Sequence, residues 1–154
     1  MTTASDPHRP PDAEARALAA DLLRGATACA LATLSDARPS VSRAGCAWVG
    51  GALHLLVSDL SDHARALRTD PACAALVEGP PGKGDPLTHP RLSLEGRAAE
   101  ADKAALRAGF LAARPKAALF YDFGDFRLLR LDADRALLNG GFGRAWRLAP
   151  GDLP

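Results

Sequence analysis

The sequence predicts a mainly β domain of the α+β class, an antiparallel barrel, closed or split, with flanking helices. Short apolar runs of strand length recur along the chain, turns rich in glycine and proline separate them, and few segments show helical periodicity. The connections between the first strands are too short to carry parallel crossovers. Neighbouring strands are therefore expected to pair antiparallel.

Composition limits the class of protein. The 154 residues, 47% of them hydrophobic, predict one domain at residues 11–150 after a disordered polar tail at residues 1–10. The net charge of +1 argues against nucleic-acid binding. No segment resembles a signal peptide or approaches the roughly 20 apolar residues of a membrane span, so we expect a cytoplasmic protein with no membrane partner. Cys29, Cys46 and Cys73 are widely spaced and are expected to be buried free thiols.

The first half of the chain predicts a helix followed by a strand meander. Asp12 is a good N-cap, and apolar residues at helical spacing continue to Gly25. Strands are predicted at residues 29–34, 40–49 and 52–57, with Gly50-Gly51 as a two-residue hairpin turn. A short helix at residues 61–68 and a fourth strand at residues 72–77 follow, and a loop covers residues 79–90.

The second half predicts further strands and two helices. Residues 91–98 alternate between apolar and polar side chains, as in a strand with one wet or ligand-facing side. Helices are predicted at residues 102–113 and 115–120. Strands at residues 126–131 and 135–138 are expected to form a hairpin around Asp132-Ala133-Asp134, before a last strand at residues 145–148.

The segment at residues 53–65 is the strongest candidate for a binding site. A buried strand ends at Ser58, and a helix opens with His63 and Arg65. Because the first N–H groups of a helix have no internal partner, hydroxyls and cations beside them can complete an anion site. The alternative is an ordinary capped turn, in which Ser61 bonds those N–H groups and Asp62 complements the helix dipole but repels a phosphate.

Other motifs lack the context that their chemistry needs. The glycines around Phe142 follow a predicted hairpin, whereas a dinucleotide-binding fingerprint needs a strand before it and a helix after it. They are expected to let the backbone turn tightly or approach a ligand or partner subunit. No G-x-S-x-G elbow occurs, and the four histidines lack metal-site spacing. Neither a serine hydrolase nor a metal site is predicted.

Several segments in a fixed order carry a resemblance to a known family. They are Ala32-Thr33-Leu34, Pro39 and Ser42, Ser58-Asp59-Leu60 with His63 and Arg65, residues 85–91 with Leu94 and Gly96, Phe123, Asp125-Phe126, and residues 140–145. Together they resemble the pyridoxamine 5'-phosphate oxidase-related flavoproteins, in particular the branch of HugZ-type haem-utilisation proteins. The resemblance covers residues 28–148.

The resemblance implies a six-stranded, FMN-binding split barrel that forms a homodimer, with FMN in two clefts at the interface. The implied cofactor contacts are Arg43, Ser58, His63 and Arg65 at the phosphate, Arg91 beside the isoalloxazine ring, and the turn of Phe142 and Arg144 approaching from the other subunit. A dianionic phosphate favours charge-assisted donors, and arginine offers a fork of them.

Two departures from the family pattern bear on function. Ala64 and Ala66 replace side-chain donors that many relatives carry, and the last histidine is His89, whereas haem-degrading relatives use a C-terminal histidine. The leading expectation is an FMN-binding oxidoreductase acting on an undefined small-molecule substrate, with no catalytic residue assigned. A haem-binding or haem-utilisation protein and a cofactor-free structural dimer are the alternatives.

Overall fold

The computed structural model describes residues 6–154 and shows a closed antiparallel barrel. The helices are α1 (Ala13–Gly25), α2 (Asp62–Thr69) and α3 (Arg107–Ala113), and the strands are β1 (Ala28–Ser35), β2 (Arg38–Val49), β3 (Ala52–Ser58), β4 (Ala72–Glu78), β5 (Arg91–Glu100), β6 (Phe126–Asn139) and β7 (Ala145–Leu148). Short 3₁₀ turns cover Pro86–Thr88, Pro115–Leu119 and Pro150–Asp152. The strand order is β3-β2-β1-β4-β5-β6, pairing of β6 with β3 closes the barrel, and β7 extends the sheet beyond β6. The predicted class and six-stranded barrel are confirmed, with β7 as an additional strand.

The hairpin between β2 and β3 follows the predicted turn chemistry. Gly50 and Gly51 have φ angles of 60° and 79°, which glycine adopts without the strain that a Cβ would cause. A two-residue turn with two positive φ angles matches the twist of the flanking strands. It sets the register in which Val49 faces Ala52 and Gly45 faces Leu56.

Alternation along the strands produces two separate apolar clusters. Leu53, Leu55 and Val57 of β3 point into the barrel and pack with the apolar stripe of α1, whose N-cap Asp12 accepts a hydrogen bond from the backbone N–H of Ala15 at 2.8 Å. The intervening residue Leu56 faces outward and packs in a second cluster with side chains from α3 and the segment after it. The second cluster therefore fixes α3 against the outside of the barrel.

The predicted hairpin around Asp132-Ala133-Asp134 is wrong, because β6 runs without interruption from Phe126 to Asn139. The acidic residues lie within this strand, where Arg130 bonds Asp132 at 2.6 Å. The β5–β6 register shifts between Glu95 and Gly96, so the strand bends here and does not reverse. Polar residues that are typical of turns thus mark a bulge between two paired strands.

The helix predicted at residues 102–113 is shorter than expected. Asp102 caps a turn by accepting the Ala105 N–H at 2.9 Å, but the Arg107 N–H bonds Ala104, three residues back rather than four. This tightening separates the turn from α3, which begins at Arg107. The short helix predicted at residues 115–120 is a 3₁₀ turn, Pro115–Leu119.

The described chain begins within the predicted tail. Residues 1–5 of the predicted tail lie outside the described residues, and the Arg9 N–H donates to the Ala145 carbonyl at 2.8 Å. Within residues 6–154, no helix combines the length and apolar character needed to cross a bilayer. The cysteines are free thiols, of which Cys29 and Cys46 are buried. Burial raises the pKa of the half-buried Cys73 to about 11.

His54 gives the fold a pH-dependent weak point. It is 3% exposed on β3, and its Nδ1 has no hydrogen-bond partner among the described residues. Burial lowers the pKa of His54 below its ordinary value of 6.5, and the nearby Arg130 lowers it further, whereas the Ala52 backbone and Asp132 oppose the shift. As pH falls through this ordinary value, the unfolded chain binds a proton that the folded chain resists. His54 therefore leaves the free energy of unfolding undiminished above about pH 6.5 and lowers it as pH falls below that value.

We expect His54→Leu to reduce this acid sensitivity. Between about pH 7.5 and pH 5.5, the melting temperature of the variant should fall less than that of the wild type, because the variant removes a buried group that must remain neutral. Thermal unfolding followed by circular dichroism measures both slopes. His89→Ala, on the loop before β5, should keep the wild-type slope. Equal slopes for His54→Leu and the wild type would contradict the prediction.

Candidate functional site

A cleft of about 270 Å³ lies on the outer face of the barrel, between β2, β3 and the segment that follows α3. Its lining combines cationic, hydroxyl and aromatic side chains with the small residues Ala44 and Gly45. The lining residues are Arg43, Ala44, Gly45, Leu56, Val57, Ser58, Ser61, His63, Arg114, Phe120 and Phe126. The cleft thus brings together Arg43, Ser58 and His63 of the predicted site.

One wall of the cleft is aromatic and is held in place by hydrogen bonds. The rings of Phe120 and Phe126 are 5.1 Å apart at an angle of 41°. Lys103 donates to the carbonyls of Phe123 and Phe126 at 3.1 and 2.6 Å, and the buried Tyr121 hydroxyl donates to the Lys103 carbonyl at 2.7 Å. These bonds join the two ends of the segment, so the aromatic wall is a fixed part of the fold.

Two arginines give the cleft its charge. Arg43 is exposed on β2, and the Arg114 guanidinium lies over the Phe120 ring at 5.7 Å. Arg114 also rests against Gly45, where a Cβ would lie 2.6 Å from Nη1. Among the described residues no carboxylate forms an ion pair with Arg43 or Arg114, whereas most other arginines have one. The cleft therefore carries two arginines without ion-pair partners among the described residues, beside aromatic rings.

His63 is half-buried at the start of α2, and a hydrogen bond at one ring nitrogen holds its imidazole in place. Its Nδ1 lies 3.0 Å from the Ser42 hydroxyl. Burial lowers the pKa of His63, and the charge of Asp62 partly opposes the shift. The imidazole is therefore neutral at pH 7, with one ring nitrogen engaged by Ser42 and Nε2 without a partner among the described residues.

The hydroxyl of Ser58, a predicted phosphate contact, and that of Ser61, the cap of the alternative interpretation, both already donate a hydrogen bond within the protein. The Ser58 hydroxyl donates to the Asp125 carboxylate at 2.7 Å and accepts the Leu60 N–H at 3.2 Å. The Ser61 hydroxyl donates to the Ser58 carbonyl and accepts the Ala64 N–H. The hydroxyls thus cap the turn, and the Asp125 carboxylate disfavours an anion beside Ser58. The cationic groups that the cleft presents to an anion are therefore its arginines.

Arg65 points away from this cleft. Its guanidinium donates to Asp62 Oδ1 at 3.0 Å and to the Leu60 carbonyl at 2.9 Å. It lines a neighbouring cleft of about 300 Å³ with Thr33 and Ser40. The structure therefore separates Arg65 from Arg43, although both were predicted at one phosphate.

A second group of predicted cofactor contacts lies around the start of β5 and the end of β6 and consists of Arg91, Phe142 and Arg144. Arg91 faces Asn139 across the sheet and donates to the carbonyls of Leu87 and His89. Arg144 bonds the Glu14 carboxylate and lies over the Trp146 ring at 5.6 Å. Phe142 is 96% exposed in the turn between β6 and β7. None of these three predicted residues lines the cleft of Arg43 and His63.

Sequence reasoning missed Arg114 and Phe120. They follow α3 without a recognisable motif, and only the packing of α3 on β2 brings them beside Arg43. A weak signal was present in Gly45, a glycine within a predicted strand, which often marks the close approach of another group. The approaching group is the Arg114 guanidinium.

Similarity to known proteins agrees with this fold. No family model matches the chain. The non-canonical chloroplastic haem oxygenase HOZ of Arabidopsis thaliana is 38% identical over 81 residues, which are 51% of this chain and 24% of that protein. The chain therefore spans about a quarter of the length of this curated relative.

Solved structures extend the similarity over nearly the whole chain. One is 38% identical with a TM-score of 0.86 and covers 94% of this chain and 98% of its own. A haem-binding protein from Mycobacterium smegmatis is 30% identical, with a TM-score of 0.80, over 94% of this chain and 60% of that one.

A more distant structure shares the fold alone. A protein from Listeria innocua, provisionally assigned as a pyridoxamine 5'-phosphate oxidase, is 12% identical with a TM-score of 0.62, over 79% of this chain and 94% of that one. The shared barrel agrees with the fold that the sequence resemblance implies. The chain therefore has the split-barrel fold of the pyridoxamine 5'-phosphate oxidase-like proteins, and its relatives at 30% identity or more include a non-canonical haem oxygenase and a haem-binding protein.

Proposed function

We propose that this protein binds haem in the cleft of Arg43, His63 and Arg114. Two relatives at 30% identity or more are a haem oxygenase and a haem-binding protein. The observation that carries the proposal is the pair of arginines without ion-pair partners among the described residues, next to a fixed aromatic wall.

The donor set fits the chemistry of haem. Haem is a flat aromatic ring with two propionates and an iron that accepts nitrogen ligands. Phe120 and Phe126 offer apolar contact for the ring, and Arg43 and Arg114 offer charge-assisted donors for the propionates. Bound haem would supply redox-active iron, while the chain's own residues bind and orient it.

FMN is the second candidate ligand, and with it an oxidoreductase acting on a small molecule. It also combines a flat ring with an anionic group, so the same arginines and phenylalanines suit it. Two hydrogen bonds weaken this candidate: the Ser58 hydroxyl donates to the Asp125 carboxylate and the Ser61 hydroxyl donates to the Ser58 carbonyl, so neither is free to donate to a phosphate. The two propionates of haem fit the cleft better, because each can bind one of the two arginine guanidinium groups.

A titration distinguishes the candidates. The purified protein is titrated with ferric haem and, separately, with FMN at one ionic strength, and absorbance and fluorescence are recorded. We expect saturable haem binding with a defined Soret band, and weaker FMN binding. Retention of FMN with exclusion of haem would overturn the proposal in favour of a flavoprotein. Binding of neither would favour a cofactor-free structural dimer.

We further propose that two chains form a homodimer that completes the cleft. The cleft of about 270 Å³ is smaller than typical ligand sites, which measure roughly 300–1,000 Å³, so one chain encloses only part of a large ligand. Exposed apolar side chains lie near both groups of predicted contacts: Val41 and Leu119 beside the cleft, 70% and 80% exposed, and Leu87 and Phe142 near Arg91, 71% and 96% exposed. A two-fold axis can pack Val41 and Leu119 of one chain against Leu87 and Phe142 of its partner, and the reverse.

Phe142→Asp should dissociate this dimer. A charge at the centre of an apolar contact removes an aromatic anchor, and we expect association to weaken by about 2 kcal/mol or more, roughly thirtyfold. Sedimentation equilibrium measures the change. Ala17→Asp, which adds the same charge on the exposed face of α1, should leave association unchanged. A monomeric wild type, or a variant that associates as tightly, would contradict the homodimer.

A cytoplasmic location is also proposed. The three free cysteines support it, because free thiols persist in reducing compartments. Cell fractionation with an antibody against the protein tests the proposal, and recovery of the protein from the membrane or secreted fraction would contradict it.

A further inference from the structure

We infer that His63 ligates the haem iron through Nε2 and that Ser42 positions its ring. The inference rests on the proposed haem binding and assigns to His63 a role beyond contact with an anionic group. The bond formed is a coordination bond in which Nε2 donates its lone pair to ferric iron and a water molecule leaves. No group is oxidised or reduced.

The position of His63 sets it apart from the other described histidines. His54 is 3% exposed, within the fold. His8 bonds Asp6 near the start of the described chain, and the His89 Nε2 bonds the Lys83 carbonyl on the loop before β5. His63 alone among them lines the cleft.

The other iron-ligating side chains of the described residues are also remote from the cleft lining. The cysteines are absent from the lining, and Cys29 and Cys46 belong to the barrel interior. The Tyr121 hydroxyl is bonded to the Lys103 carbonyl. Among the described residues, a haem held in this cleft therefore finds one strong ligand, the imidazole of His63.

The contact with Ser42 prepares the imidazole for coordination. Histidines that bind metals usually donate their other ring N–H to an acceptor, which fixes the tautomer and the ring orientation. Ser42 Oγ is 3.0 Å from Nδ1, so it can accept that N–H and leave the Nε2 lone pair available. Nε2 has no protein partner among the described residues and is not among their buried unsatisfied atoms, so it is accessible.

The test separates ligation from binding. The full-length wild type, His63→Ala, His63→Gly, Ser42→Ala and the control His89→Ala are each titrated with ferric haem. Affinity is taken from the titration, and ligation from the Soret position and the electron paramagnetic resonance spectrum. Thermal unfolding of each variant without haem shows that it is folded.

We expect the wild type and His89→Ala to share one nitrogen-ligated spectrum. His63→Ala and His63→Gly should lose this spectrum while still taking up haem more weakly, and added imidazole should restore it in His63→Gly. Ser42→Ala should keep the nitrogen ligand but bind haem about tenfold more weakly, the lower end of the range for loss of a ligand's hydrogen-bond partner.

Each other outcome has a distinct meaning. If the wild type takes up no haem, the proposed function fails and the ligand assignment fails with it. If the wild type binds haem and His63→Ala keeps the same spectrum, haem binding stands and the assignment of His63 is overturned. If Ser42→Ala matches the wild type in both affinity and spectrum, the positioning role of Ser42 is overturned.

Discussion

Gly96→Ala should destabilise the protein by about 3 kcal/mol or more, at the upper end of the cost of overpacking. A Cβ at this position would lie 1.9 Å from the Asp132 carbonyl oxygen and 2.9 Å from the Ala133 Cα. These are backbone atoms of β6, which cannot move away without breaking the pairing of β5 with β6. That pairing supports the barrel on one side of β6, and β3 closes it on the other.

The measurement is urea and thermal unfolding of the variant against the wild type. For a domain of about 150 residues, each 1 kcal/mol shifts the melting temperature by roughly 2–4 °C, so we expect a decrease of about 10 °C. Gly25→Ala is the matched control, because no atom lies within 4 Å of its added Cβ. This control should be neutral or stabilise the end of α1 by up to about 1 kcal/mol. Equal melting temperatures for Gly96→Ala and the wild type would show that β6 can shift locally.

The sequence predicts most strands because local patterns determine them. The alternation from Leu53 to Val57 and the Gly50-Gly51 turn are sufficient to place β2 and β3. The failure at Asp132 has a physical cause. Whether acidic residues end a strand in a turn or bend it at a bulge depends on the strand that pairs with it, which here is β5 with its Gly96. Local propensity contains no information about that partner strand.

The site is predicted less completely, for the same reason. The sequence predicts Arg43 and His63 together, and both line one cleft, because β2 and the start of α2 belong to one continuous meander. It cannot reveal that Ser58 donates to Asp125, which belongs to a distant segment. It also cannot reveal that Arg114 packs against Gly45, since that contact depends on how α3 packs in the second apolar cluster on the outside of the barrel.

Loss of both cleft arginines should have the largest effect on ligand binding. Hydrogen bonds to charged groups contribute about 1.5–3 kcal/mol each, and the exposure of Arg43 favours the lower end of this range. Arg43→Ala combined with Arg114→Ala should therefore cost about 3 kcal/mol, which weakens haem binding by roughly a hundredfold. Neither arginine has an ion-pair partner among the described residues, and the cation–π contact of Arg114 with Phe120 is worth about 0.5–1 kcal/mol, so the melting temperature should fall by only a few degrees.

Haem titration of this double variant, beside Arg38→Ala as the matched control, measures the loss. Arg38 is exposed on the same strand but does not line the cleft, so its removal should leave affinity unchanged. Gly45→Ala supplies an independent route to the same effect, since its Cβ would meet the flexible end of Arg114 and displace the guanidinium without disturbing the backbone. It should weaken haem binding as Arg114→Ala does. Wild-type affinity in the double variant would show that the anionic groups of the ligand bind elsewhere on the protein.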